Sequence, residues 1–321
     1  MELVQQRDLP LGRINISKHI IWPVLLVATS TTAISTPAFA QEQEQEREQK
    51  KAKAKSSASS WRLSTGVNFS TGRYKELSDT KVISAPVSLK FTNADFRIRV
   101  SIPYVHVDGP GSLIQTPEGS GGGYSGGRTD NGAAGSANSG SGGSGYGDVE
   151  VDDNDDVPAS SKRSGFGDAV VAATYSFDLG SNFFIDASGK VKIPTASTAK
   201  RLGTGEVDVT TAADFVKMVG PTTFYVHGRR KFRGKPAGSS IRSVWGAGAG
   251  ASISAGQGIT VGADYDWQQS SLIGNQASSD VTGWASFRLT RKISLSSFAS
   301  TGLNSNSADF AGGLSISVKL N

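Results

Sequence analysis

Few residues of this chain could do chemistry as a group. It has 3 histidines and no cysteine. Without cysteine there is no disulfide framework, no thiolate zinc site and no thiol nucleophile. His19 lies in an N-terminal segment read below as cleaved, His106 closes a strand, and His227 stands near Tyr225 and Arg229. A hydrolytic site would need one of these beside a serine or an aspartate held in fixed geometry. No motif places those residue types together, so no catalytic residue, cofactor or metal ligand is assigned, and the chain is expected not to be an enzyme.

Two other segments are candidates for ion binding. Asp148, Glu150, Asp152, Asp153, Asp155 and Asp156 crowd carboxylates that could attract Ca²⁺. A hand-type calcium loop needs Gly at its sixth position and Glu at its twelfth. Counted from Asp148, those positions hold Asp153 and Ala159, so the run reads as a solvated loop. The glycines of 119–147 lack the strand-and-helix frame that a phosphate-cradling loop requires. The formal net charge of +5, from 33 basic and 28 acidic residues, is spread out and forms no stripe. Nucleic acid is therefore not an expected partner.

The informative charges are those at every second position. Asp186, Lys190 and Lys192 alternate with Ile185, Ala187, Val191 and Ile193. Arg97 and Arg99 alternate with Phe96, Ile98, Val100 and Ile102, while Asp264 and Asp266 alternate with Val261, Ala263 and Tyr265. Such charges cannot face lipid, where Arg or Lys at the midplane costs about 2–4 kcal/mol. They cannot fill a dry core either. They fit the wet lumen of a barrel. The candidate lumen-lining residues are Lys90, Arg97, Arg99, Asp186, Lys190, Lys192, Asp214, His227, Arg229, Asp264, Asp266 and Arg288. Arg62, Lys231, Arg242, Asp168 and Asp208 extend the set, which leans basic.

These positions require strands of a particular kind. Alternation predicts strands near 61–70, 81–91, 95–107, 167–178, 182–193, 205–218, 222–232, 242–254, 258–269, 279–289, 292–301 and 308–320. Runs this long exceed the usual sandwich strand of about 5–6 residues. The connectors alternate between tight turns (92–94, 180–181, 220–221, 256–257 and 291) and longer ones (71–79, 109–164, 195–204, 234–240, 270–278 and 302–307). That is the habit of an up-and-down barrel with short periplasmic turns and long outer loops. The fold class expected is all-β: a transmembrane up-and-down antiparallel β-barrel of about 12 strands. Aromatics gather toward the strand ends, as interfacial girdles do.

The N-terminus supplies an address. Arg7, Arg13 and Lys18 precede an apolar core around Ile20, Ile21, Leu25 and Leu26, and Ala38-Phe39-Ala40 fits a cleavage site. The unbroken apolar run is about 9 residues, against the roughly 20 of a spanning helix. Residues 1–40 thus read as a signal peptide, 41–60 as a low-complexity periplasmic leader, and 61–321 as the barrel with a long Gly/Ser- and Asp-rich loop at 109–164. The expected location is the outer membrane of a Gram-negative cell. Expected partners are outer-membrane lipid and lipopolysaccharide, the barrel insertion machinery and a small-molecule solute.

Several motifs carry a resemblance. The segment WRLSTGVNFSTGRY at 61–74 is followed by APVSLK at 85–90 and VSIPYV at 100–105. Gly109-Pro110-Gly111, Gly165-Phe166-Gly167-Asp168 and Lys192-Ile193-Pro194-Thr195 come next. In this order they resemble the small outer-membrane transporter proteins of the MetA-pathway of phenol degradation family. By motif the resemblance covers 61–195, and by pattern it runs to the end. It implies an outer-membrane barrel that moves small solutes, and it supplies no catalytic residues. Two functions stay open at this point: a passive channel for small solutes, with small organic (aromatic) acids favoured by the basic lumen, and a non-conducting barrel with a structural or surface-interaction role.

Overall fold

The computed structural model describes residues 59–73, 79–109, 113–117, 146–151 and 161–321, apart from 237, 240, 257 and 273. The expected signal peptide, nearly all of the leader and most of the 109–164 loop lie outside the described residues. The strands are β1 (Ser60–Gly72), β2 (Thr80–Asn93), β3 (Phe96–Gly109), β4 (Leu113–Pro117), β5 (Tyr146–Val151), β6 (Ser161–Phe166), β7 (Ala169–Asp178), β8 (Phe183–Ile193), β9 (Asp208–Val219), β10 (Thr222–Phe232), β11 (Val244–Ser254), β12 (Ile259–Gln268), β13 (Ser278–Arg288), β14 (Ile293–Gly302) and β15 (Phe310–Lys319).

Antiparallel neighbours follow chain order around a closed ring. β1 pairs with β2 on one side and with β15 on the other, from Arg62↔Lys319 to Thr71↔Phe310. β6 and β7 both lie against β3 and are two stretches of one strand, broken at Gly167 and Asp168. Counted that way, the 13 strands of the sheet make a closed twelve-stranded antiparallel barrel. The sequence pattern started this fourth strand at 167, but it begins six residues earlier, in Gly/Ser-rich sequence where alternation is faint. β4 and β5 form a separate two-stranded hairpin inside the connector read as a loop.

Period-two alternation sorts the two faces. Leu63, Val67, Ile83, Val87, Val100 and Ile102 are exposed, while Ser64, Asn68, Ser84, Ser88 and Ser101 between them are buried. Closure leaves no strand edge, so every backbone group can be satisfied without water, as lipid demands. Two aromatic belts ring the outside. Trp61 lies 4.8 Å from Phe91, and Tyr175 lies 4.8 Å from Phe177, near the short turns. Phe69 with Phe310 and Tyr104 with Phe166 lie near the long loops. An apolar outer band with aromatic rims and a polar inside is the exterior of a membrane-spanning barrel. The tight turns tolerate unusual backbone: Gly180, Ser181 and Asn182 all take positive φ, at 79°, 51° and 58°.

Candidate functional site in the barrel interior

Register decides which interior charges meet. Directly paired residues on neighbouring strands carry side chains about 4.5–5.5 Å apart at Cβ. Lys319 on β15 is paired with Arg62 on β1, Arg62 with Lys90 on β2, and Lys90 with Arg99 on β3. Four cations thus stand side by side across four strands. After one alanine, Ala172 on β7, the same line reaches Lys190 on β8. Arg62 also donates to Ser294 Oγ at 2.9 Å, and Arg288 lies on the adjacent strand, paired with Ser294.

A second line has the opposite sign. Asp186 on β8 is paired with Asp214 on β9, and Asp214 with His227 on β10. His227 is paired with Gly248 on β11, Gly248 with Asp266 on β12, and Asp266 with Asp280 on β13. In the ring order these strands lie across the barrel from β1–β3. The interior therefore has a basic arc and an acidic arc.

Several carboxylates on this side of the interior are held by neighbouring donors. Arg97 donates to Asp186 at 2.6 Å and to Ser176 Oγ at 3.1 Å. Arg229 grips Asp266 with both terminal nitrogens, at 2.6 and 2.5 Å, and also donates to Gln268 at 3.2 Å. His227 Nε2 lies 2.9 Å from the same carboxylate, and the Tyr225 hydroxyl donates to Asp264. Such fork-on-carboxylate contacts are among the stronger hydrogen bonds. Asp214 differs from them. It is 0% exposed, and neither carboxylate oxygen has a hydrogen-bond partner.

The geometry across β11 explains how β10 reaches β12. Three successive inward positions of β11 are Gly246, Gly248 and Gly250, in register with Arg229, His227 and Tyr225. A Cβ on Gly246 would lie 2.7 Å from Arg229 Nε, and one on Gly248 would lie 2.5 Å from the His227 ring. The bare strand is the trough over which three β10 side chains pass to Gln268, Asp266 and Asp264.

Near the long loops, Lys192 is enclosed. Its ammonium lies 3.2 Å from Asp168 and 3.3 Å from Asp208, and all three side chains are 2–3% exposed. Of the twelve candidate residues, Asp186, Lys192, Asp214, His227, Asp264 and Asp266 are buried, while Lys90, Arg97, Arg99, Lys190, Arg229 and Arg288 are partly exposed. All twelve alternate with outward neighbours. Asp280 and Lys319 complete the two arcs and were not among the candidates. Alternation with Val281, and with Ile316 and Leu320, was the signal that could have found them.

No protein-family model matches the chain, and no curated protein matches it either. Solved structures do resemble it. The KdgM porin gives a TM-score of 0.45 at 7% identity, over 80% of this chain and 99% of that one. The CymD monoaromatic hydrocarbon channel gives 0.42 at 10% identity, over 84% and 90%. The translocator domain of autotransporter NalP from Neisseria meningitidis gives 0.42 at 10% identity, over 89% and 99%. With TM-scores below 0.5 these are loose likenesses, and what the barrel does has to come from its own residues.

Proposed function

We propose that the chain is an outer-membrane channel that passes small solutes by passive diffusion and favours small organic acids, aromatic ones included. The observation that carries this reading is the in-register row Lys319, Arg62, Lys90 and Arg99. Like charges placed directly opposite one another destabilise a sheet. A row of them on the inner wall of a membrane barrel makes sense as an attraction for anions, as charge rings do in channels. The motif order at 61–195, which resembles that of the phenol-degradation transporter family, adds a little support for the same solute class. On this reading residues 1–40 direct export, the insertion machinery places the barrel among lipid and lipopolysaccharide, and the twelve candidate residues form the inner wall, with the six partly exposed ones facing the path. His227 and Asp266, tied by Arg229 and laid over Gly248, serve as wall rather than as a catalytic pair.

A second reading, a non-conducting barrel, is favoured by the burial of mid-barrel charges such as Asp214 and His227. One measurement separates the two. Purified refolded protein in a planar bilayer should show unitary conductance steps. In a KCl gradient its reversal potential should report modest anion preference at low salt. That preference should weaken at high salt, because the Debye length falls from about 10 Å at 0.1 M to about 3 Å at 1 M. Silence in the bilayer would favour the second reading. Cation preference would mean that the acidic arc controls the path.

A further inference from the structure

The connector between β8 and β9, residues 194–207, does not extend away from the barrel. It turns into it. Leu202 is 1% exposed and packs in one apolar cluster with Val82, Val105, Val107 and Ala196. Val82, Val105 and Val107 belong to the inner face of β2 and β3, because Ile83 and Tyr104 beside them are exposed at 50% and 47%. The connector therefore crosses the inside of β6, where Gly165 leaves room for it. A Cβ there would lie 2.8 Å from Leu202 Cδ1.

Polar ties fix the connector's base. The Ala196 amide donates to Asp168 at 2.9 Å, and the Thr195 hydroxyl donates to the Gly167 carbonyl at 3.0 Å. Arg163 donates to the Arg201 carbonyl at 3.3 Å. Lys192 joins Asp168 to Asp208 and donates to Thr204 Oγ1 at 3.2 Å. Gly203 lies so close that an added Cβ would sit 3.0 Å from Asp168. The triad thus clamps the start of the connector (β8), its end (β9) and the adjacent strand junction.

We propose that residues 194–207 form a fixed internal constriction at the long-loop mouth, seated by Leu202 and clamped by Lys192, and that this constriction sets the size of solute admitted. Lys192 then acts as a positioning residue, its charge spent on two carboxylates, whereas Lys90 and Arg99 act on solute charge. The role in solute selection rests on the channel reading, but the seating of the connector does not.

Two measurements test it. In planar bilayers, Leu202→Asn and Lys192→Met should raise unitary conductance about twofold or more and admit larger polyethylene glycols, as a widened pore does. Reversal potential should stay near its original value in Leu202→Asn. Conductance and polymer cut-off equal to those of the unmodified chain in both variants would overturn the proposal. If the unmodified protein is silent, the channel reading fails, and conductance appearing in Leu202→Asn still supports a constriction. The second measurement needs no conduction. The chain has no native cysteine, so a Leu202→Cys barrel can be probed with a membrane-impermeant maleimide. It should react slowly, and roughly tenfold faster when Lys192→Met loosens the clamp. Reaction as fast as that of Ser197→Cys, at an exposed position of the same connector, would show that Leu202 is not seated and would sink the idea.

Discussion

The Lys192 cluster and the Arg62–Lys90–Arg99 row place charge inside one barrel on opposite terms. Lys192 sits between two aspartates, and all three side chains are nearly inaccessible. In the row, each cation has another cation as its direct cross-strand neighbour. The first arrangement costs desolvation and recovers it through contact. The second sets like charges directly opposite one another, which is unfavourable between neighbouring strands. The triad joins opposite charges drawn from three places in the chain, and the row sets like charges next to one another across neighbouring strands.

That difference can be broken experimentally, starting where the effect is greatest. Lys192→Met leaves Asp168 and Asp208 buried without their shared cation, and should cost about 3–5 kcal/mol. Urea unfolding of the refolded barrel would read this. Adding Asp168→Asn and Asp208→Asn should recover much of the loss, and no recovery would argue against a matched triad. The next effect tests which face carries the row. Val100→Arg should cost about 2–4 kcal/mol if Val100 lies near the midplane, and Arg99→Val should cost less. A reversed order would mean that the register is shifted by one residue, which flips every side chain.

A smaller effect separates the acidic arc's packing from its charge. Gly248→Ala puts a Cβ 2.5 Å from the His227 ring and from the Tyr265 carbonyl, and overpacking of that kind costs about 1–3 kcal/mol. Gly228→Ala on the outer face meets nothing within 4 Å and should be near neutral in the same assay. The smallest stability effect belongs to the row itself. Lys90→Glu places an anion between two arginines and should change stability by less than about 1 kcal/mol. Its signature should instead be a reversal potential moved toward cations. A large stability loss without that movement would make the row structural, like the Lys192 triad.

Alternation is local, so much of the wall was legible in the chain. Phe183, Ile185 and Val191 against Asp186, Lys190 and Lys192 announce β8 without reference to any other strand. Register is not local. That Lys90 stands beside both Arg62 and Arg99 follows only from how three strands slide past one another. That the β11 glycines underlie Tyr225, His227 and Arg229 is set the same way. β6 escaped notice because serine and glycine give little contrast between faces. The inward turn of 194–207 was illegible for a plainer reason: it depends on Leu202 finding valines about a hundred residues earlier, and nothing in the connector's own composition points inward.

The glycine trough of β11 also bears on how the wall is assembled. With only β10 and β11 side by side, Arg229, His227 and Tyr225 would lie across bare backbone with no carboxylate to meet. Asp264 and Asp266 arrive with β12. The three strands therefore form a cooperative unit larger than a hairpin, gaining its polar contacts in one step when the third strand docks. In hydrogen exchange, amides of β10 and β12 should open together, even though the two strands share no backbone hydrogen bond.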